Sequence, residues 1–257
     1  MTDGILVGVE GAIGTITLNR PARRNAITQA MWAALPGVLA SLQANKAIRV
    51  IVLRGAAQNF AAGADISEFE TVYGTREAAT TYAALMAGAM EALLACEKPV
   101  IAAIEGNCIG GAVALTLCCD LCFADAGANF AITPAKLGLA YAFGDTSRLV
   151  ARVGAAAAKD LLFSARRIDG EEALRMGLVD RVFASGTLDA ELAAYTALLT
   201  ANSPATLAVA KDFCTRAMGG QKTEDAATRA AYLDILEGPD FAEGREAFLH
   251  RRAPKFS

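Results

Sequence analysis

Two short runs, RVIVLR at residues 49–54 and PVIAAI at residues 99–104, constrain the fold of this chain more than any other feature. Both are apolar at nearly every position rather than at alternate ones, the pattern of a strand buried on both faces. A sheet covered on both faces needs helices against each, so the chain is expected to be α/β. Alternation through Ile5, Val7 and Val9, then Ile13, Ile16 and Leu18, predicts a β-hairpin turning near Glu10 and Gly11. Thr28 is placed to cap a helix through residue 45, with Met31, Leu35, Leu39 and Leu42 on one face and a kink at Pro36. Further helices are expected near residues 77–96, 110–117, 145–153, 155–163 and 169–176, with a strand at 120–124. From Leu188 to His250 the pattern is helical throughout, giving a core over residues 1–195 and a helical region over residues 196–257.

Composition narrows the function. With 257 residues, 54% hydrophobic and 20% charged, the chain can bury a large core and is not expected to be disordered. A net charge of −3 without a dense Lys/Arg stripe argues against a nucleic-acid partner, so any anionic ligand must be held by a few arginines or by backbone N–H groups. The first residues lack a cationic segment followed by an apolar run, and Glu105, Asn107 and Asp120 interrupt the most apolar stretch. Neither a signal peptide nor a membrane partner is expected. Six cysteines lie mostly in apolar surroundings, Cys119 and Cys122 as a lone C-x-x-C; free buried thiols in a reducing cytoplasm are the reading. With His250 as the only histidine, no metal site and no Ser-His-Asp triad are expected, and no G-x-G-x-x-G opens the first βα unit.

Two loops carry the candidate chemistry: residues 60–66 (FAAGADI) and residues 105–112 (EGNCIGGA), each running from a buried strand through small residues into a helix. Small side chains admit a ligand to the backbone, and a helix N-terminus presents unpaired N–H groups and a partial positive charge. Two such N–H groups converging on one thioester oxygen would form an oxyanion hole for an enolate. Close helix–strand packing would produce the same small residues.

In this order, and together with Leu18-Asn19-Arg20-Pro21, Asn25-Ala26-Ile27, Leu137-Gly138, Arg148-Leu149 and Gly177-Leu178-Val179, the loops resemble those of the crotonase (enoyl-CoA hydratase/isomerase) superfamily. The resemblance covers essentially the whole chain. It implies a crotonase (ClpP-like) fold of stacked ββα units with a C-terminal helical trimerisation region. It further implies a homotrimer or hexamer and an acyl-CoA substrate, with no cofactor beyond the coenzyme A of that substrate. Ala64 and Gly111 take the positions of the oxyanion N–H groups. Ala26, Ala62, Ala64, Asp65 and Ile66 fall in the stretches that line the CoA, and Arg23 and Arg24 lie near its phosphates. Phe248 and Arg251 match positions that reach the adenine region, often of a neighbouring subunit; an ordinary amphipathic terminal helix is the other reading.

The chain departs from this pattern where hydration is performed. The resemblance places the two hydratase glutamates at Ala114 and Pro134, and hydration needs one carboxylate to activate water and another to protonate the α-carbon. Efficient hydration is therefore not expected. Tyr141 and Asp145 are the candidate replacements. The run from Phe130 to Tyr141 resembles the methylmalonyl-CoA decarboxylase branch, although that branch has a histidine where this chain has Ala64. Tyr141 can equally be a loop aromatic, and Asp145 a helix N-cap. Three functions stay open: an acyl-CoA enzyme working through a stabilised enolate, a decarboxylase of a malonyl-type CoA, and a catalytically weak acyl-CoA binder or scaffold.

Overall fold

The computed structural model describes residues 3–257. β1 (Ile5–Glu10) and β2 (Ile13–Leu18) form the expected antiparallel hairpin, with Glu10 opposite Ile13. Thr28 caps α1 (Gln29–Ala44), its Oγ1 accepting from the Met31 N–H, and the helix continues through Pro36. β3 (Val50–Gly55) lies parallel to β2. The short α2 (Phe69–Val72) and the long α3 (Arg76–Leu94) then lead to β4 (Val100–Ile104), parallel to β3. β5 (Asn107–Ile109) and α4 (Gly111–Thr116) carry the chain to β6 (Leu121–Asp125), parallel to β4. Then come β7 (Asn129–Ala131), α5 (Phe143–Ser164), β8 (Ile168–Asp169), α6 (Gly170–Met176) and β9 (Arg181–Phe183). The described residues build a six-stranded sheet, β1-β2-β3-β4-β6-β9, and a three-stranded one, β5-β7-β8. Gly154 leaves helical geometry inside α5, which is therefore two helices end to end, as the pattern at 145–153 and 155–163 predicts.

The uninterrupted apolar runs have the cause assigned to them. Neighbouring residues of a strand point to opposite faces, and both faces are covered. Val50, Val52, Ile101 and Ala103 pack with Leu188 and Leu192 of α7 (Leu188–Thr200). Ile51, Leu53, Ala102 and Ile104 belong to the larger core with Trp32, Leu35, Leu93 and Val113. Each fully buried side chain of this size stabilises the fold by roughly 1.5–3 kcal/mol. The division drawn after residue 195 falls inside α7, whose Tyr195 and Leu199 also pack against the sheet. One helix face must cover the strands along its whole length, so the core layer extends to residue 200 and the appendage begins at α8 (Pro204–Met218).

α8, α9 (Ala226–Glu237) and α10 (Pro239–Leu249) are fastened to one edge of the large sheet. Lys211 of α8 donates to the Lys98 carbonyl at 3.1 Å and to Asp120 at 2.8 Å, while Arg49 donates to the Thr200 and Phe256 carbonyls. Asp120 also accepts from the Val100 N–H. Arg49, Lys98 and Asp120 all precede strands, so the appendage grips the N-terminal edge and leaves the C-terminal edge free. Ligands of parallel sheets bind outside that C-terminal edge.

Candidate active site

Both candidate loops leave the C-terminal edge of the large sheet, one after β3 and the other after β4. They are stitched together: Phe60 N–H donates to Glu105 O at 2.7 Å, Ala61 N–H to Asn107 O at 2.8 Å, and Ile109 N–H back to Ala61 O at 3.1 Å. The first loop is pinned from its other side by the turn after β2. Ile27 N–H donates to Gly63 O, Asp65 N–H to Ile27 O, and Ala62 N–H to Arg24 O. Asn25, wholly buried, donates from Nδ2 to the Ala56 and Asn59 carbonyls. Asn25 was visible beforehand only as part of a motif; its anchoring role needs the fold.

The N–H groups of Ala64 and Gly111 are among the loop backbone donors that this stitching leaves without an acceptor in the described residues. They are neighbours: a Cβ built on Gly63 would lie 3.5 Å from Gly111 N, and one built on Gly111 would lie 3.7 Å from Ala64 N. Backbone shape requires glycine twice here. Gly63 has φ +94°, and a Cβ on it would stand 2.6 Å from the Ile109 carbonyl oxygen. Gly110, with φ 57°, turns the chain into α4. The helix start favours negative charge at this point.

A cleft of about 520 Å³ opens above the pair. Ala62, Ala64 and Ile66 border it, as do Met86 and Met90 of α3 and, on the far side, Thr133, Pro134, Tyr141, Asp145 and Arg148. Its walls are mostly apolar with a few convergent polar groups, the usual make-up of a small-molecule site. Of the candidate site residues singled out from the sequence, Ala62, Ala64, Ile66, Gly111, Tyr141 and Asp145 border this one cleft, and the other candidates do not. Tyr141 donates from its hydroxyl to Gly110 O at 3.4 Å, next to the N–H pair, and burial pushes its pKa well above the ordinary phenol value.

Four placements correct or refine the expectations. Asp145 is not a helix N-cap: α5 begins two residues earlier and Asp145 lies within its first turn, buried. Burial pushes its carboxyl above the usual aspartate range, and a 2.5 Å ion pair with Arg148 offsets part of that shift. Asp65 does not border the cleft, and its carboxylate accepts from Arg20 and Ser67. Burial would raise its pKa, yet bonds from Ser67 and Arg20 outweigh it and hold the carboxyl below its usual range. Ala114 is fully buried in the core, whereas Pro134 does border the cleft. Arg23 and Arg24 are exposed on the turn beside Ala62, and Ala26 is buried beneath it with its carbonyl bonded to Arg20.

Phe248 and Arg251 do not border this cleft. Both are exposed on the appendage. Arg148 is the functional candidate that sequence reasoning passed over. Its signal was its place three residues after Asp145 in a helical pattern, where opposite charges meet on one face. Cys96, Cys108, Cys118, Cys119 and Cys122 are buried free thiols, Cys118 and Cys122 pushed up to about 12 by burial, so the C-x-x-C is part of the core. No helix among the described residues is long and apolar enough to cross a membrane.

The enoyl-CoA hydratase/isomerase family model matches residues 8–257. A Rhizobium meliloti protein named a probable enoyl-CoA hydratase is 34% identical, over 98% of this chain and 97% of that one. Among solved structures, an enoyl-CoA hydratase/isomerase family protein from Hyphomonas neptunium superposes with a TM-score of 0.97 at 41% identity, covering 100% of this chain and 98% of that one. An enoyl-CoA hydratase/carnithine racemase from Magnetospirillum magneticum gives 0.95 at 36% identity, over 100% and 96%.

Proposed function

The chain belongs to the enoyl-CoA hydratase/isomerase family, and from that premise we propose that it binds an acyl-CoA thioester and stabilises its enolate without acting as an efficient hydratase. The observation that carries the reading is the unpaired Ala64 and Gly111 N–H pair at the floor of the cleft. A thioester oxygen between them gains two hydrogen bonds that strengthen as negative charge develops on it, so the enolate is favoured over the ground state. Arg23 and Arg24 on the neighbouring turn would approach the CoA phosphates. Phe248 and Arg251, on an appendage fastened to the opposite edge, would serve the cleft of another copy in a homotrimer or hexamer.

Asp145 is the proton carrier in this reading. Its carboxylate takes a proton from the acyl chain, the C–H electrons move onto the thioester oxygen, and the resulting acid returns the proton at another carbon. A buried carboxyl with a raised pKa is a stronger base than an ordinary aspartate. Tyr141 orients the substrate beside the N–H pair. A second reading, decarboxylation of a malonyl-type CoA, is favoured by the Arg148 partner of Asp145, which screens the aspartate's charge from a substrate carboxylate. There the C–C bond electrons move onto the thioester oxygen as carbon dioxide leaves, and no base is required.

Turnover of a panel of enoyl- and malonyl-type CoA esters by wild type, Tyr141→Phe and Asp145→Asn tests both. Crotonyl-CoA hydration should be slower than that of a two-glutamate hydratase by roughly 10²- to 10⁴-fold, the usual worth of acid–base catalysis. If Asp145 is the base, kcat/KM falls as pH drops through a value above the ordinary aspartate range, and Asp145→Asn removes both that limb and the activity. If decarboxylation is the reaction, Asp145→Asn preserves or improves it and Tyr141→Phe impairs it. Unchanged rates in both variants would remove the two residues from the mechanism. Tight CoA binding with no turnover would favour the passive binder.

A further inference from the structure

The two oxyanion donors stand on different loops, yet one short segment touches both. Ile27 grips the first loop on either side of Ala64: its N–H donates to Gly63 O at 2.8 Å and its carbonyl accepts from the Asp65 N–H at 2.9 Å. Thr28 then caps α1, and the Trp32 N–H closes the first turn on Thr28 O at 3.0 Å. The Trp32 side chain, wholly buried, reaches the second loop, where Cζ2 of its indole lies 3.5 Å from the place a Cβ on Gly111 would take. Gly111 opens α4, which spans only six residues, and a helix this short is held in place by tertiary packing rather than by its own bonds. The indole is not there for its polar group. Nε1 is buried and has no hydrogen-bond partner among the described residues, a cost that a phenylalanine would avoid. What phenylalanine would lack is the second ring, and Cζ2 belongs to the part of the indole that reaches Gly111.

We propose that Trp32 is a positioning residue for the enolate chemistry: with Ile27 it forms a spacer, fixed to Ala64 at one end and packed against Gly111 at the other, that sets the gap between the two N–H groups. The proposal rests on the reading of that pair as an oxyanion hole and adds what holds the pair in register. Trp32 acts without touching the substrate, since it does not border the cleft. Two donors share one oxygen only when both stand about 3 Å from it. A shift of either loop weakens the bonds that grow as the enolate forms, and a misplacement of about 1 Å costs roughly 10²-fold in rate.

Infrared spectra of bound butyryl-CoA, labelled with carbon-13 at the thioester carbon, read the donors directly, because hydrogen bonds to the thioester oxygen lower its stretching frequency. The comparison is among wild type, Trp32→Phe and Leu39→Ala, each checked for folding by circular dichroism and for affinity by calorimetry. Leu39 is buried on the same helix, so its variant loosens α1 without removing the contact with Gly111. In wild type the band should lie below that of the free ester. Trp32→Phe should return it most of the way and lower kcat roughly ten- to a hundredfold, with KM changed by less than about threefold, the pattern of an interaction made in the transition state. Leu39→Ala should leave the band in place. A band unmoved in folded Trp32→Phe, or moved equally by Leu39→Ala, would overturn the proposal while leaving the oxyanion hole standing. Should Trp32→Phe not fold, wild type labelled with 5-fluorotryptophan decides, since Trp32 is the only tryptophan. Its single fluorine-19 resonance should shift as butyryl-CoA saturates the protein, and a resonance that stays in place would overturn the proposal. A wild-type band coincident with that of the free ester, or no binding at all, would instead remove the oxyanion reading on which it rests.

Discussion

Gly63 shows how little tolerance the site has at the level of a single residue. Its φ of +94° and the 2.6 Å approach of a built Cβ to Ile109 O leave no room for a side chain. Gly63→Ala should destabilise the fold by about 1–3 kcal/mol. It should also move Ala64 away from Gly111, costing roughly 10²–10³ in kcat on whichever ester is turned over. Urea unfolding and steady-state kinetics would read the two effects, and an alanine variant as stable and active as wild type would contradict the geometry. Ala114 carries the opposite lesson. Restoring the glutamate expected there by resemblance would place a carboxylate at a fully buried position in the core. Ala114→Glu should therefore lose about 3–5 kcal/mol, as an uncompensated buried charge does, instead of gaining hydratase activity. A stable, hydrating Ala114→Glu would show that the side chain reaches the cleft after all. The two small-residue loops were legible beforehand because glycine and alanine let backbones approach closely. The place of Asp145 in its helix was not, because α5 starts at Phe143 with no side-chain cap to mark it.

Among the elements, those with strong periodicity or a clear cap were legible. Thr28, Thr75 and Asp169 each cap the helix that the pattern places after them, accepting from Met31, Ala78 and Glu172 N–H groups. β5, β7 and β8 were less so, since two or three residues of strand carry no measurable alternation. The docking of α8 could not be read at all, because Lys211 and its partners lie 91 and 113 residues apart. That contact yields a prediction for the element. Lys211 is 13% exposed, and Lys211→Met should cost about 1.5–3 kcal/mol, the range for a hydrogen bond to a charged group. Amide exchange should then quicken in α8, α9 and α10 while β3 and β4 stay protected. Uniform loosening of the whole chain would mean that the appendage and core unfold as one unit.

For the molecule as a whole, the free C-terminal edge and the gripped N-terminal edge of the sheet divide binding from support. Several large apolar side chains on the helical layers stay exposed, among them Phe163 at 77%, Met218 at 78% and Phe248 at 84%. The proposed trimer or hexamer would cover part of this apolar surface. Light scattering should then give three or six times the 26.6 kDa chain mass. A mass of one chain at micromolar concentration would contradict the assembly and, with it, the service of Phe248 and Arg251 to a neighbour's cleft.

The α/β class, the two strands buried on both faces and the small-residue loops were determined by the sequence itself, because burial and backbone shape select residue types locally. Tertiary structure decided the meeting of Ala64 with Gly111, through backbone bonds between Ala61 and the strand before α4. It also paired Asp65 with Arg20, set Asp145 and Arg148 against each other at the cleft, and sent the C-terminal helices to the opposite edge. Contacts between residues far apart in sequence leave no periodic trace in the chain; they exist only once packed elements bring their ends together.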